Sequence, residues 1–380
     1  LRFQANRDVL SDAVSFAVKL LPQRTTLPIL SGVLIRSTDS GISLASFDYE
    51  VSAQTEIAAE VQEPGVILVS GRLLADIVSK LPNAPVQFAT DEGKISVDCG
   101  SAHFTLLSMP VEEYPTLPSV DQPAGLVPGD AFAEAVAQVG VAASRDDVTP
   151  VITGVQLEIA DNVLSLVATD RYRVAVREID WDGSAGVTEA TALVPARTLQ
   201  EIGRTLGHAS TIQVAIQNND DRELIAFTAD QKTVTSLLIK GNFPPVKRLF
   251  PESVDHYAVL NTGDLIEATR RVQIVLEREA ALRFSFSSEG LTLEAIGSEQ
   301  AQASESIDAL LTGQDTVVSL KPQFLLDGLS SVHSEFVRIS FTKTDNPNKP
   351  GPVLITSQTS REQAGSDNYK YLLQPNLLLR

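Results

Sequence analysis

Apolar and polar residues alternate with period two in Gly41-Ile42-Ser43-Leu44-Ala45-Ser46-Phe47-Asp48, again over residues 162–170 (Asn162-Val163-Leu164-Ser165-Leu166-Val167-Ala168-Thr169-Asp170), and a third time in Gly290-Leu291-Thr292-Leu293-Glu294-Ala295-Ile296. Alternation of this kind predicts half-buried antiparallel strands. Ahead of each strand the spacing changes to that of an amphipathic helix: Val9, Ala13, Phe16, Ala17 and Leu20; Phe132, Ala135, Val136 and Val139; Leu265, Ile266, Thr269, Val272 and Leu276. Behind each strand lies a third shared element. Residues 68–77 recur at 193–202 and, more weakly, at 317–326, each a β-branched run feeding a short helix with leucines three or four apart. The chain is therefore an internal repeat of about 125 residues in three modules, 1–120, 126–250 and 256–380.

Within a module the order is helix, strands, helix, strands, which predicts an α+β unit with helices on one face of an antiparallel sheet; a parallel sheet would need a helix between most strands. Proline clusters mark the joints: Pro110, Pro115, Pro118, Pro123 and Pro128 at the first, Pro244, Pro245 and Pro251 at the second. Residues 342–368 are polar and turn-rich around one short strand, 353–356, and read as surface loops; Tyr369-Lys370-Tyr371-Leu372-Leu373 reads as a final strand. The end, residues 375–380, is an apolar tail that either packs into a groove or is partly foreign to the natural chain.

Composition narrows the class. The 380 residues carry 30 bases against 48 acids, a formal charge of -18, with 43% hydrophobic and 21% charged residues, ordinary values for a folded chain. No run approaches a membrane span, and no basic segment followed by an apolar one opens the chain as a secretory signal would, so a cytoplasmic setting is expected. One cysteine, Cys99, excludes an intrachain disulfide; in an alternating run it reads as a small buried hydrophobe.

A net acidic chain is a poor first guess for a nucleic-acid binder, but the acid is unevenly placed. The six predicted helical segments hold nine bases and nine acids, so the excess lies elsewhere. If the helices share one surface, Arg7, Lys19, Arg24, Arg72, Lys80, Arg197, Arg204, Arg270, Arg271 and Lys321 are its positive part; plain solvated helix surface is the competing interpretation.

Catalytic signatures do not emerge. Phosphate-binding glycine loops, nucleophile elbows, zinc-protease and EF-hand patterns are absent from the sequence. Glu112-Glu113, Asp146-Asp147 and Asp220-Asp221 sit next to turn residues, and adjacent acids in a strand point to opposite faces. The four histidines fall in dissimilar contexts. No cofactor or metal is expected. A three-domain scaffold and a divalent-metal phosphatase built on the acidic pairs are the rival classes.

The runs Thr26-Leu27-Pro28-Ile29-Leu30-Ser31-Gly32-Val33-Leu34, Phe47-Asp48-Tyr49-Glu50-Val51, Ala168-Thr169-Asp170-Arg171-Tyr172-Arg173-Val174, Phe243-Pro244 through Pro251, and Tyr371-Leu372-Leu373-Gln374-Pro375 closely resemble the bacterial DNA polymerase III beta subunit, the replicative sliding clamp, over essentially the whole chain. Residues 69–77 and 109–115 resemble its actinobacterial branch. The resemblance implies a DNA-clamp fold of three repeated domains that closes as a head-to-tail homodimeric ring, helices inside and sheets outside, encircling duplex DNA without reading its sequence. It implies no catalysis: the ring tethers the polymerase III alpha subunit, receives the clamp loader delta subunit and other proteins with clamp-binding motifs, and works at the nucleoid.

By position, the resemblance places Arg24 and Arg72 near DNA, with Arg197 their repeat equivalent; Lys80, Arg204 and Lys321 join them as bases of the same helix face. The subunit contact would pair Phe104 and Leu106 on an edge strand with Val275 and Leu276 of the third domain. A groove for short linear motifs, and for small-molecule or cyclic-peptide ligands, would use Thr169, Arg171, Tyr172, Arg173, Val174, Pro244, Arg248, Leu249, Leu372, Gln374, Pro375, Asn376 and Leu377. The tail departs from the family, which usually has Met before the last proline and a base two places after it; here Gln374 and Leu377 stand there. An amide in an apolar subsite costs about 1–3 kcal/mol unless paired, so Gln374 is expected to weaken or reshape it. A specialised second clamp with altered ligand tolerance and simple family drift both account for the change.

Overall fold

The computed structural model describes residues 1–21, 27–218, 222–295, 300–346 and 349–378. Arg24, Asp220-Asp221 and Ile296, singled out above, lie outside them. Six α-helices form among the described residues: α1 Arg7–Lys19, α2 Gly71–Val78, α3 Gly129–Gly140, α4 Ala196–Leu206, α5 Thr262–Val272 and α6 Pro322–Ser331. Local chemistry starts them. Asn6 Oδ1 accepts from the Asp8 and Val9 amides at 2.9 and 3.1 Å, Asn261 Oδ1 accepts from Asp264 N at 3.0 Å, and Pro322 opens α6.

The chain divides into one unit of Leu1–Ala133, Trp181–Thr188 and Thr198–Leu238, and another of Glu134–Asp180, Glu189–Arg197 and Ile239–Arg380. Sheet continuity across module boundaries is the reason. In the first unit, strand Lys232–Leu237 of module two pairs antiparallel with Val51–Ala58 of module one, inside an eight-stranded sheet. In the second, Arg173–Asp180 of module two pairs with Tyr369–Leu373 of module three, inside a nine-stranded sheet. Each unit holds a smaller sheet as well: five strands ending on Ala102–Leu107 in the first, four ending on Ala303–Ile307 in the second.

The first unit's main core packs α1 and α2 on both its sheets: Leu10, Ala13, Val14 and Ala17 meet Ile35, Ile42, Leu44, Phe88 and Val97. The helical spacing put Val9 on the buried face, but Val9 is 43% exposed and Leu10 is buried instead. Cys99 belongs to this core, as expected of it.

Two of the three strands expected to be half-buried are covered on both faces. All seven residues of Gly41–Phe47 are buried: Ile42 and Leu44 face the helices, while Ala45 lies in a second cluster under Met109, Val111, Tyr114 and Leu117. Burial pushes the Tyr114 phenol up to about 12. Val163–Thr169 is treated likewise, its Val167 lying under Phe243, Val246, Phe250 and Val254. The proline-rich joints are therefore lids over the outer sheet faces, not spacers. Gly290–Ala295 keeps the expected alternation. The helix expected to reach Leu276 stops at Val272, passing into a 3-10 turn, Gln273–Val275, with Leu276 extended at ψ 142.

Candidate functional site

Within the second unit, the turn that follows strand Val163–Thr169 carries most of the predicted groove residues. Asp170 shapes it: Oδ1 accepts from the amides of Tyr172 and Arg173 at 3.0 and 3.2 Å, and Oδ2 accepts from Arg173 Nε at 3.0 Å. Thr169 Oγ1 donates to Arg173 O at 2.7 Å. Arg171 is consequently held left-handed, φ 79, a region costly for a residue with a Cβ, and its Nη2 donates to Thr149 Oγ1 at 2.8 Å.

Arg173 anchors the turn. Its side chain is 9% exposed; Nη1 donates to Asp327 Oδ2 at 2.5 Å and to the Tyr371 hydroxyl at 3.1 Å, and the guanidinium lies 4.5 Å from the Phe324 ring centre. Burial works against this charge, but Tyr371, Asp327 and Asp170 more than offset it and hold the guanidinium above its ordinary pKa. Burial in turn raises the Tyr371 phenol, which stays neutral and donates to Phe324 O at 2.6 Å. Phe324, Asp327 and Tyr371 were not legible as site residues. Phe324 sits in a helix whose leucines explain its pattern, and nothing in sequence links residues 154 and 198 positions from Arg173 to it.

The floor and rim follow. Gln374 N donates to Tyr172 O at 2.9 Å, continuing the pairing in which Val174 faces Leu372. Val174 and Leu372 are buried, at 5% and 4% exposure, against the lid residues Phe243, Val246 and Phe250. What reaches solvent is Tyr172 (59%), Leu249 (55%) and Leu377 (66%), with Arg248 exposed and Pro244 half-buried on the lid. Pro375 is buried, and Asn376 N donates to Ser319 O at 2.8 Å, so the tail is tied to the four-stranded sheet. Gln374 is not an orphan amide: its Nε2 donates to Pro350 O at 3.1 Å, which offsets the expected desolvation cost. Beside the turn opens a cavity of about 1010 Å³ lined by Arg171, Tyr172, Arg173, Val148, Ile152 and Phe324 among others.

The first unit repeats the backbone without the apolar floor. Asp48 Oδ1 accepts from the amides of Glu50 and Val51 at 2.9 and 2.7 Å, Tyr49 has φ 73, and Leu237 N donates to Glu50 O at 2.8 Å. Where the second unit pairs Val174 with Leu372, however, the first pairs Ser52 with Thr235. Buried hydroxyls offer no anchor for apolar side chains.

Of the bases expected near DNA, Arg72 and Arg197 each take the second position of a helix, α2 and α4, and are exposed, as is Lys80 just beyond α2. Arg204 is offset by Glu201 at 2.5 Å, which also meets Lys19 at 3.5 Å. Lys321 Nζ lies 3.0 Å from Glu279 Oε2 and over the Tyr172 and Phe324 rings at 5.9 and 5.5 Å, so this base also borders the notch.

The residues expected at the subunit contact divide by exposure. Strand Ala102–Leu107 is a sheet edge, but Leu106 is 6% exposed and part of the core, whereas Phe104 (38%) and Leu107 (75%) reach solvent. Val275 and Leu276 are half-buried, and the neighbouring Ile274, which sequence reasoning did not single out, is 78% exposed in the 3-10 turn after α5. Among the described residues no cluster of three or more His, Cys, Asp or Glu could hold a metal, and no helix is long and apolar enough to cross a membrane.

Two-helix modules joined by continuous antiparallel sheets, with an apolar notch beside the 169–174 turn, are the architecture of a DNA-clamp protein. Family models for the N-terminal, central and C-terminal domains of the DNA polymerase III beta subunit match residues 1–118, 126–245 and 247–360. The beta sliding clamp of Streptomyces coelicolor is 43% identical over 99% of both chains, and that of Micrococcus luteus 45% identical over 82% of this chain and all of its own. The crystal structure of the Pseudomonas aeruginosa beta subunit, 26% identical, superposes with a TM-score of 0.89 over 100% of both chains. The chain belongs to the bacterial DNA polymerase III beta subunit family, the sliding clamps, non-catalytic processivity factors of replication.

Proposed function

We propose that two copies close head to tail around duplex DNA, with the edge Ala102–Leu107 of each chain meeting the edge Ala303–Ile307 of the other. The observation that carries this is the pair of unlike sheet edges, one bearing exposed Phe104 and Leu107, the other packed on α5, whose following turn bears exposed Ile274. Unlike edges make a heterologous contact, which closes only as a ring or runs on as a filament, and pairing relieves the aggregation risk of each edge. Light scattering should give a dimer near twice 40.8 kDa that circular DNA retains and linear DNA releases; a monomer, or equal retention, would refute ring closure.

Arg72, Arg197 and Lys80 then brush phosphates while the ring slides, and Arg204, neutralised by Glu201, adds little. Such contact must be weak and sequence-independent, since a firm grip would stop movement. Arg72→Glu combined with Arg197→Glu is expected to slow loading or sliding several-fold, with a shallower salt response because fewer phosphates are neutralised, and to leave the dimer intact. Unchanged loading and sliding would remove these residues from the DNA-facing surface.

The notch takes short linear motifs of the polymerase alpha subunit, the clamp loader delta subunit and other partners, whose apolar anchors would lie against Tyr172, Leu249 and the Val174–Leu372 floor. A P. aeruginosa clamp bound to griselimycin, 26% identical with a TM-score of 0.88 over 99% of both chains, and the 36% identical clamp homolog GriR of Streptomyces muensis support ligand entry and a variant-clamp reading here. Gln374→Met would free Pro350 O and widen the apolar floor; a labelled clamp-binding peptide should change affinity by about 3- to 10-fold. An unchanged affinity would assign Gln374 to family drift. Action in the cytoplasm at the nucleoid follows from this reading.

A further inference from the structure

Along the free edge Ala303–Ile307, Ala303, Glu305 and Ile307 are half-buried while Ser304 and Ser306 are exposed, so a carboxylate sits between two apolar residues on the side facing α5. Arg271, in the last turn of α5, meets it as a fork: Nε lies 3.0 and 3.2 Å from the two carboxylate oxygens, and Nη2 lies 2.5 Å from Oε1. The neighbouring Arg270 turns to Glu267 instead, at 3.2 Å. Ile274, three positions after Arg271 in the chain, is 78% exposed. Arg271 and Glu305 are 58% and 27% exposed, values at which an ion pair adds little to the stability of a lone subunit.

We propose that Arg271 is the positioning residue of the subunit seam, neutralising Glu305 in advance so that the free edge can accept the strand Ala102–Leu107 of the partner subunit. The inference rests on the head-to-tail contact proposed above. A strand added at about 4.8 Å brings its side chains over Glu305 and removes the water that now solvates the carboxylate. Unpaired, that charge would oppose association; forked to a guanidinium, it stays satisfied in the drier setting. The fork also fixes the edge to α5, whose end presents Ile274.

Dimer dissociation constants of wild type, Arg271→Ala, Arg271→Lys, Glu305→Ala and the double Ala variant, measured by analytical ultracentrifugation, test this. Arg271→Ala should weaken the dimer by about 30-fold, Arg271→Lys less, Glu305→Ala by under about 3-fold, and the double variant should recover to within about 5-fold of wild type. Melting of each variant, diluted until monomeric, should be unchanged. A double variant as weak as Arg271→Ala, or Arg271→Ala within about 3-fold of wild type, overturns the assignment. A wild type that fails to dimerise, or whose dimer tolerates Ile274→Asp, instead overturns the seam itself; a dimer sensitive to Ile274→Asp but indifferent to Arg271→Ala overturns only the role of Arg271.

Discussion

Arg173→Ala should cost about 3–5 kcal/mol in chemical denaturation of the second unit, the range for breaking a buried ion pair from one side. The substitution leaves Asp170 and Asp327 facing the space of the lost guanidinium, removes a partner of Tyr371, and takes the cation from the Phe324 ring. Arg173→Lys keeps the charge but cannot reach both carboxylates with a planar fork, so about half the loss should remain. Because Asp170 also holds the Tyr172 and Arg173 amides, the same variant should loosen the notch and lower peptide affinity. A destabilisation below about 1 kcal/mol would mean that the network is incidental to the turn.

Ile274→Asp is expected to raise the dimer dissociation constant by about 100-fold or more, since an added carboxylate would be buried in the proposed seam without a partner of its own. At 78% exposure the isoleucine contributes little to the isolated subunit, so melting of the monomer should not change. Leu106→Asp offers the opposite pattern. At 6% exposure it is a core residue, and its substitution should unfold the first unit before dimerisation can be judged. Sedimentation and retention on circular DNA separate the two cases; a fully dimeric Ile274→Asp protein would exclude Ile274 from the seam.

The notch shows how far residue order carries an argument. Resemblance located the turn from Thr169 to Val174 and the strand end at Leu372 to Pro375, but could not weigh their contacts. Gln374, expected to weaken or reshape an apolar subsite unless its amide found a partner, donates to Pro350 O, on a loop 24 positions away that had no assigned role. Lys321, grouped with the DNA-facing bases for its place at the start of a helix, answers to Glu279 and two aromatic rings. Charge arithmetic counts ions but does not say which are already spent on a neighbour. At the expected subunit contact, Phe104 and Leu106 look equivalent by alternation, and their burial differs because one ends in the core and the other at its margin.

Periodicity, which depends only on neighbours a few positions apart, was enough to read three α+β repeats, two helices in each, and the strands at 41–47, 163–169 and 290–295. Contacts between distant segments decided the rest. Strand pairing joined modules into two continuous sheets, proline-rich joints folded down as lids, and the equivalent pairs Val174–Leu372 and Ser52–Thr235 made one repeated turn an apolar notch and left the other polar. Local preference sets which way a side chain points, whereas the chemistry it meets there depends on a segment that can be 200 residues away, and only packing brings the two together.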